Sequence, residues 1–255
     1  MSKVSVVRRK RKPSDIEVFD LVKESIDLLG GIKTFVKKGD IVALKPNIVT
    51  GKLSGPGVTT DKRVVGAVIK LCQEAGASRV LVVEGADYAS KTSEAFELSG
   101  VKAVAEELGA EMVDVDTTPL TKVKVPDPLL IDELEISKAF MDADVRINMP
   151  LMKTHDQLDV TLGIKNMKGV IPKYSKRDFH KKGVVKGVLD LNKAVPVDLT
   201  VLDAIVAMEG LGPAVGPKVE LNTIISSADI YALDKVASRI MGFELTELDY
   251  LVQAA

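Results

Sequence analysis

Cysteine occurs once in the 255 residues, histidine twice and tryptophan not at all. The lone Cys72 excludes an internal disulfide, and no iron–sulfur cluster held by several cysteines of this chain is expected. His155 and His180 are too few for a zinc site with three imidazole ligands. No apolar run approaches the ~18 residues that a membrane-spanning helix requires, so no membrane partner is expected. The first residues lack the apolar core of a signal peptide, and a cytoplasmic location is the expectation. Neither GxGxxG nor GxxxxGK followed by Ser or Thr is present, so neither standard nucleotide fingerprint is indicated. Charge of one sign is also lacking: 35 Lys plus Arg face 36 Asp plus Glu, a formal charge of −1. That balance argues against a nucleic-acid partner. The basic run 8–12 is a solvated strand end or a local phosphate contact.

What is present is a globular composition, 46% hydrophobic and 28% charged, long enough for one large domain over 1–255. Short apolar runs at 4–7, 41–44, 79–83, 111–115, 143–147, 199–202 and 222–226 read as strands. Between them lie helical patterns at about 15–29, 61–75, 93–98, 102–108, 184–195, 229–241 and 245–252. Ser14 with Glu17, Asp61 and Asp229 supply start signals. This alternation predicts an α/β fold with βαβ crossovers and a mainly parallel sheet. Its active-site cleft is expected beyond the carboxyl ends of the strands. Residues 118–136 break the rhythm and read as a small irregular or hairpin excursion. Residues 51–57 read as a glycine-rich loop, and 173–182 as a polar, basic loop. Cys72 falls on the apolar stripe of a helix and reads as core.

The densest collection of chemical groups is 148–172, NMPLMKTHDQLDVTLGIKNMKGVIP. It follows a predicted strand and is expected to form the floor of a site. Lys45, Lys153, Lys165 and Lys168 each stand in apolar or glycine-bearing contexts. Converging, they would bind a small anionic molecule, a carboxylate or phosphate, with Asn47, Thr154, Asn166 and the backbone at Gly163 contributing. A desolvated lysine can also lose its proton and act as a base or nucleophile, which makes Lys153 and Lys165 catalytic candidates. His155 is the side chain best suited to proton transfer near neutral pH. The opposing reading is structural: the lysines pair with Glu84, Asp203 and Glu209 at the sheet edge. Asp87, Asp203 and Glu209 could instead orient a base or, with His180, hold a metal.

The segments KPNIV at 45–49, PGVTTDKRVV at 56–65, LMKTHDQLDVTLGIKNMKGVIP at 151–172, FH at 179–180, DAIVAMEGLGP at 203–213 and SADIYALDKVASRIMGF at 227–243 resemble the DUF362 family. The resemblance covers most of the chain. Some members of that family carry ferredoxin-type clusters, which implies redox chemistry and a redox partner protein; this chain lacks those cysteines. A remoter likeness is to the nickel-pincer lactate racemase family, in which a histidine precedes the cofactor-bearing lysine by ten residues. His155 precedes Lys165 by ten here, and Pro172 ends the segment. The likeness implies Lys165 as attachment point, His155 as acid or base and His180 as nickel ligand. The match is incomplete, because no histidine stands near Asp87. The resemblances imply an enzyme, an oxidoreductase or an isomerase acting on a hydroxy acid, or alternatively a non-enzymatic scaffold that handles a cofactor. They leave the metal, the cofactor and homo-oligomerisation open.

Overall fold

A computed structural model describes residues 2–51, 57–155 and 158–254; the side chain of His180 is also outside the description. The strands are β1 (Val4–Arg8), β2 (Ile41–Pro46), β3 (Arg79–Glu84), β4 (Glu111–Asp114), β5 (Leu120–Lys124), β6 (Glu133–Ser137), β7 (Val145–Met149), β8 (Leu151–His155), β9 (Asp159–Thr161), β10 (Leu199–Met208) and β11 (Lys218–Ser227). The helices are α1 (Asp15–Asp27), α2 (Lys62–Ala75), α3 (Thr92–Ser99), α4 (Val101–Glu107), α5 (Lys138–Met141), α6 (Gly163–Asn166), α7 (Lys173–Lys182), α8 (Val184–Ala194), α9 (Ile230–Ile240) and α10 (Asp249–Gln253).

One sheet runs in the order β1-β11-β10-β7-β2-β3-β4. Strands β10, β7, β2, β3 and β4 are parallel, and β1 and β11 close one edge antiparallel. The parallel strands are buried on both faces, which is why they read as unbroken apolar runs. Val42, Leu44, Val80 and Val82 enter one core cluster with Val18, Leu21 and Val22 of α1 and Val64, Val65 and Val68 of α2. Ala43, Leu81 and Val83 enter the other, with Val188 and Leu191 of α8 and Leu233 of α9. The expected caps form: Ser14 and Glu17 make a reciprocal box, Asp61 accepts from Arg63 N, and Asp229 accepts from Tyr231 N and Ala232 N. Cys72 is fully buried and its thiol is pushed up to about 12 by desolvation. In the basic run, Arg9 pairs with Glu24 and Arg11 with Glu17.

Three expectations are corrected. Residues 173–182 form helix α7, not a loop; Pro172 precedes it and Gly183 ends it, a usual arrangement for a short helix. The strand at 199–202 does not stop at Asp203 but runs to Met208, bulging between Ala204 and Val206. Residues 148–172 are not a simple loop. Strand β7 continues past Pro150 as β8, still alongside β10, and β8 hairpins into β9 before α6 and a 3₁₀ turn at Met167–Val170. The loop expected at 51–57 lies mostly outside the described residues.

The excursion at 118–136 is the β5–β6 hairpin, with Leu120 opposite Ser137. Its return stretch is tied down by Asp190 of α8. That fully buried carboxylate accepts from the backbone N–H groups of Leu129 at 2.8 Å, Leu130 at 2.8 Å and Ile131 at 2.9 Å. Replacing it strands three donors at once. Asp190→Ala is expected to destabilise by more than the ~1.5–3 kcal/mol of one charged hydrogen bond, and to speed proteolysis within 125–132. A urea midpoint and cleavage rate equal to wild type would show that the hairpin is held by its apolar contacts instead.

Candidate functional site

At the carboxyl end of β2, Lys45 is only 1% exposed, and Glu84, ending β3, only 3%. Their Nζ–Oε2 separation is 2.8 Å. Burial lowers the pKa of Lys45 and the Glu84 carboxylate opposes that shift. Glu84 is well provided for: Oε2 also accepts from Ile48 N at 3.0 Å, and Oε1 from Gly85 N at 2.9 Å. The ammonium of Lys45 has two further acceptors, Pro46 O at 2.6 Å and Asn166 Oδ1 at 3.4 Å. A charge pair this dry is favourable only when its remaining donors and lone pairs are satisfied, and here they are.

A chain of amides surrounds the pair. Lys153 Nζ donates to Asn47 Oδ1 at 2.9 Å; Asn47 Nδ2 donates to Asn166 Oδ1 at 3.0 Å. Asn166 Nδ2 donates to Lys45 O at 3.0 Å and to Asn148 Oδ1 at 2.7 Å, and Asn148 Nδ2 donates to Gly163 O at 3.0 Å. The ends of β2, β7, β8 and helix α6 are thereby locked to one another. Gly169 seals the arrangement: a Cβ there would lie 1.8 Å from Glu84 Oε1 and 2.2 Å from Lys45 Cε. Only a glycine lets the 3₁₀ turn cross so close to the pair.

In front of this wall is a cavity of about 580 Å³. Lys45, Asn47, Glu84, Lys165, Asn166 and Lys168 line it together with His155, Thr161, Asp87, Tyr88, Lys176, Arg177 and Lys181. Among the described residues, six cationic side chains therefore face two carboxylates. His155, Lys165 and Lys168 are each partly buried. Burial and the charge of Lys176 bring Lys168 down to about 8. At the rim, Arg177 lies over the ring of Tyr88, 5.9 Å from its centroid.

Six of the twelve candidate site residues are not among the described side chains that line this cavity. Lys153 is fully buried behind Asn47, with Val58 O as its second acceptor at 2.8 Å, and desolvation takes it down to about 7. It shapes the wall rather than lining the space. The backbone N–H of Gly163 is taken by Asp234 at 2.7 Å, an internal carboxylate occupying the place expected for a ligand. Thr154 Oγ1 donates to Gly210 O at 2.8 Å, and Glu209 is exposed in the turn after β10. Neither appears in the cavity wall. Asp203 is buried at another point of the sheet edge, accepting from Asp61 N and Ile205 N. Burial, reinforced by Asp61, pushes it up to about 7. Among the described residues no three His, Cys, Asp or Glu could hold a metal ion. The last of the six is His180, whose side chain lies outside the description; its position falls in α7, the helix that carries Lys176, Arg177 and Lys181 to the cavity. These cavity cations of α7 went unnoticed in the sequence. The absence of Gly and Pro between 172 and 183 was the available signal for the helix that places them.

A family profile described as a domain of unknown function, DUF362, matches residues 42–239. A thylakoid-associated protein of Synechocystis sp. is 35% identical over 227 residues, covering 85% of this chain and 67% of that protein. The solved structure of the lactate racemase apoprotein from Thermoanaerobacterium thermosaccharolyticum is similar in fold, with a TM-score of 0.55 at 12% identity, over 93% of this chain and 62% of that one. A protein from Thermotoga maritima gives a TM-score of 0.52 at 14% identity, over 91% and 60%. The chain thus spans about three fifths of the length of those two structures.

Two outcomes are expected from this geometry. Gly169→Ala forces its methyl into Glu84 and Lys45 and should destabilise at or above the upper end of the ~1–3 kcal/mol typical of overpacking; a denaturation midpoint unchanged from wild type would refute the close approach. Lys153 has a folded pKa of about 7 against an ordinary 10.5. Between those values the unfolded chain binds more protons, so this group makes stability rise with pH across that window and fall as pH drops towards 7. Lys153→Met should therefore flatten the stability-versus-pH slope between pH 7 and 10 in urea titrations. An unaltered slope would mean that Lys153 keeps its proton throughout.

Proposed function

Since the chain belongs to the DUF362 family, whose description names no activity, we propose from its cavity that it is an enzyme binding a small organic anion, with His155 as the proton-transferring group. The observation that carries this reading is the excess, among the described residues, of six cationic side chains over two carboxylates around one space of about 580 Å³. That size is within the ~300–1,000 Å³ usual for small-molecule sites. The carboxylate or phosphate of the ligand would meet Lys165 and Lys168. The Lys45–Glu84 pair, neutral as a unit, would form the floor, and Asn47 and Asn166 would fix its shape.

The name of the lactate racemase neighbour favours an isomerase over an oxidoreductase and a hydroxy acid as substrate class. Proton transfer next to a carboxylate suits His155, which lines the same cavity as Lys165. A nickel or pincer-type centre finds limited support in the described residues: Lys165 and His155 are at the cavity, but Asp203 is elsewhere and no ligand cluster forms. The thylakoid association named for the relative does not bear on this reading; among the described residues no helix is long and apolar enough to cross a membrane.

Calorimetric titration with phosphate, lactate and a nucleotide, at low and high salt, tests the reading. At least one anion should bind, more weakly as salt screens it. Lys165→Ala should weaken that binding at least tenfold without changing the melting temperature much, since Lys165 is not a core residue. If none of these anions binds, or the variant binds as wild type does, the cavity is not an anion site.

A further inference from the structure

Lys176, Arg177 and Lys181 are the cavity cations to which the reading above gives no contact of their own, and Lys176 is the buried one. Its side chain is only 5% exposed and nevertheless reaches the cavity wall. Nζ donates to two main-chain carbonyls just beyond β3, Gly85 O at 2.5 Å and Ala86 O at 2.9 Å. The fit is close on the other side too: a Cβ at position 85 would lie 2.9 Å from this nitrogen, and Gly85 has none. Among the described residues no carboxylate is within ion-pair distance of it, in contrast to Lys45.

These contacts fix the geometry of the neutral amine. An uncharged lysine nitrogen carries two N–H bonds and one lone pair. With both N–H groups committed to Gly85 O and Ala86 O, the lone pair is left as the remaining direction on the nitrogen of a side chain that lines the cavity. We propose that Lys176 is a covalent catalytic residue, its amine condensing with the carbonyl of an anionic aldehyde or keto acid held by the neighbouring cations. Activation of a lysine by desolvation is a general route to such a nucleophile. Burial here brings Lys176 down to about 8, against the pull of Glu84 and Asp116. Burial and a carbonyl pair oppose one another, since the carbonyls also favour the ammonium; the lowered value says that burial prevails.

The step balances without a redox partner. The ammonium releases one proton. The amine lone pair adds to the carbonyl carbon, and the carbonyl oxygen takes up protons and leaves as water, so the C–O bond is replaced by C=N. The product iminium nitrogen keeps one hydrogen, enough for one of the two carbonyls, and its positive charge lies among the same groups that held the ammonium. The ligand's carboxylate or phosphate stays with Lys165 and Lys168.

This inference rests on the anion-site reading, and the test separates the two. The full chain is incubated with glyoxylate or pyruvate and sodium cyanoborohydride, digested and mapped by mass spectrometry; propanal, which has a carbonyl but no anionic group, serves as the control carbonyl. Expected is reductive labelling concentrated on Lys176, at least tenfold over any exposed lysine. The labelling should rise through about pH 8 rather than near the ordinary lysine value of 10.5. Excess lactate should suppress it, and propanal should give much less. Labelling spread over surface lysines, or centred on Lys165 or Lys168, overturns the assignment. So does an absence of labelling while lactate or phosphate binds by calorimetry, which would leave the anion site standing with Lys176 as a structural tie. If neither binding nor labelling occurs, both readings fall. Because the mapping uses wild-type protein, a variant that fails to fold does not obscure the result.

Discussion

A charge pair with almost no water around it, Lys45 with Glu84, is the constraint on which the rest of the carboxyl edge depends. Two ions in that position are tolerated only with their hydrogen bonds complete, and removing one partner of such a pair typically costs ~3–5 kcal/mol. The surrounding sequence follows from that requirement. Ile48 and Gly85 must present their N–H groups to Glu84; Pro46 must turn its carbonyl to Lys45; residue 169 must lack a Cβ. Residues 39 apart in the chain are made neighbours by strand pairing, since β2 and β3 are adjacent and parallel. The sheet does not merely support this site: its two strand ends are the site's floor.

The amide chain from Lys153 to Gly163 extends the same logic outward. An asparagine side chain has a donor end and an acceptor end, and each one here is fixed by its neighbours in both senses. Asn47 receives from Lys153 and gives to Asn166; Asn166 gives to Asn148, which gives to Gly163 O. Flipping one amide would set like ends against each other at both of its contacts: for Asn47, donor against Lys153 Nζ and acceptor against Asn166 Oδ1. That directional consistency orients the wall that Lys165 and Lys168 stand against. It also explains why a fully buried lysine, Lys153, is retained at a point where an apolar residue would leave Asn47 Oδ1 and Val58 O without donors.

Much of this was legible beforehand, and the failures have physical causes. Strand and helix alternation, the three cap residues and the concentration of groups in 148–172 all depend on local pattern, which a sequence displays. The reading of Lys45 as either a ligand group or a partner of Glu84 could not be resolved from pattern, and the structure makes it the latter while leaving it at the cavity. Asp203 and Glu209 are absent from the described cavity wall because β10 runs on to Met208: Asp203 is then an interior strand residue tied to Asp61 N and Ile205 N, and Glu209 falls in the exposed turn beyond it. Gly163 looked like an open backbone donor because Asp234, 71 residues later, is the acceptor that takes it. Lys176 escaped notice because 173–182, rich in Lys and Arg, reads as a uniformly solvated loop. Only tertiary packing reveals that it is buried while Lys182 is exposed.

The lysines around the cavity carry a further implication. Burial has lowered Lys168 and Lys176 to about 8, and Lys153 behind them to about 7. These shifts mean that the ammonium forms are held at a disadvantage, several of them within one small volume. Like charges lower one another, as Lys176 does for Lys168, and among the described residues Glu84 and Asp87 are the carboxylates in the wall. On the reading proposed above, an arriving anion would reverse both effects at once, supplying the opposite charge that burial removed and screening lysine from lysine. Ligand and protons would then bind together: an anion would raise the affinity of these amines for protons, and protonation would raise their affinity for the anion, by the same coupling free energy.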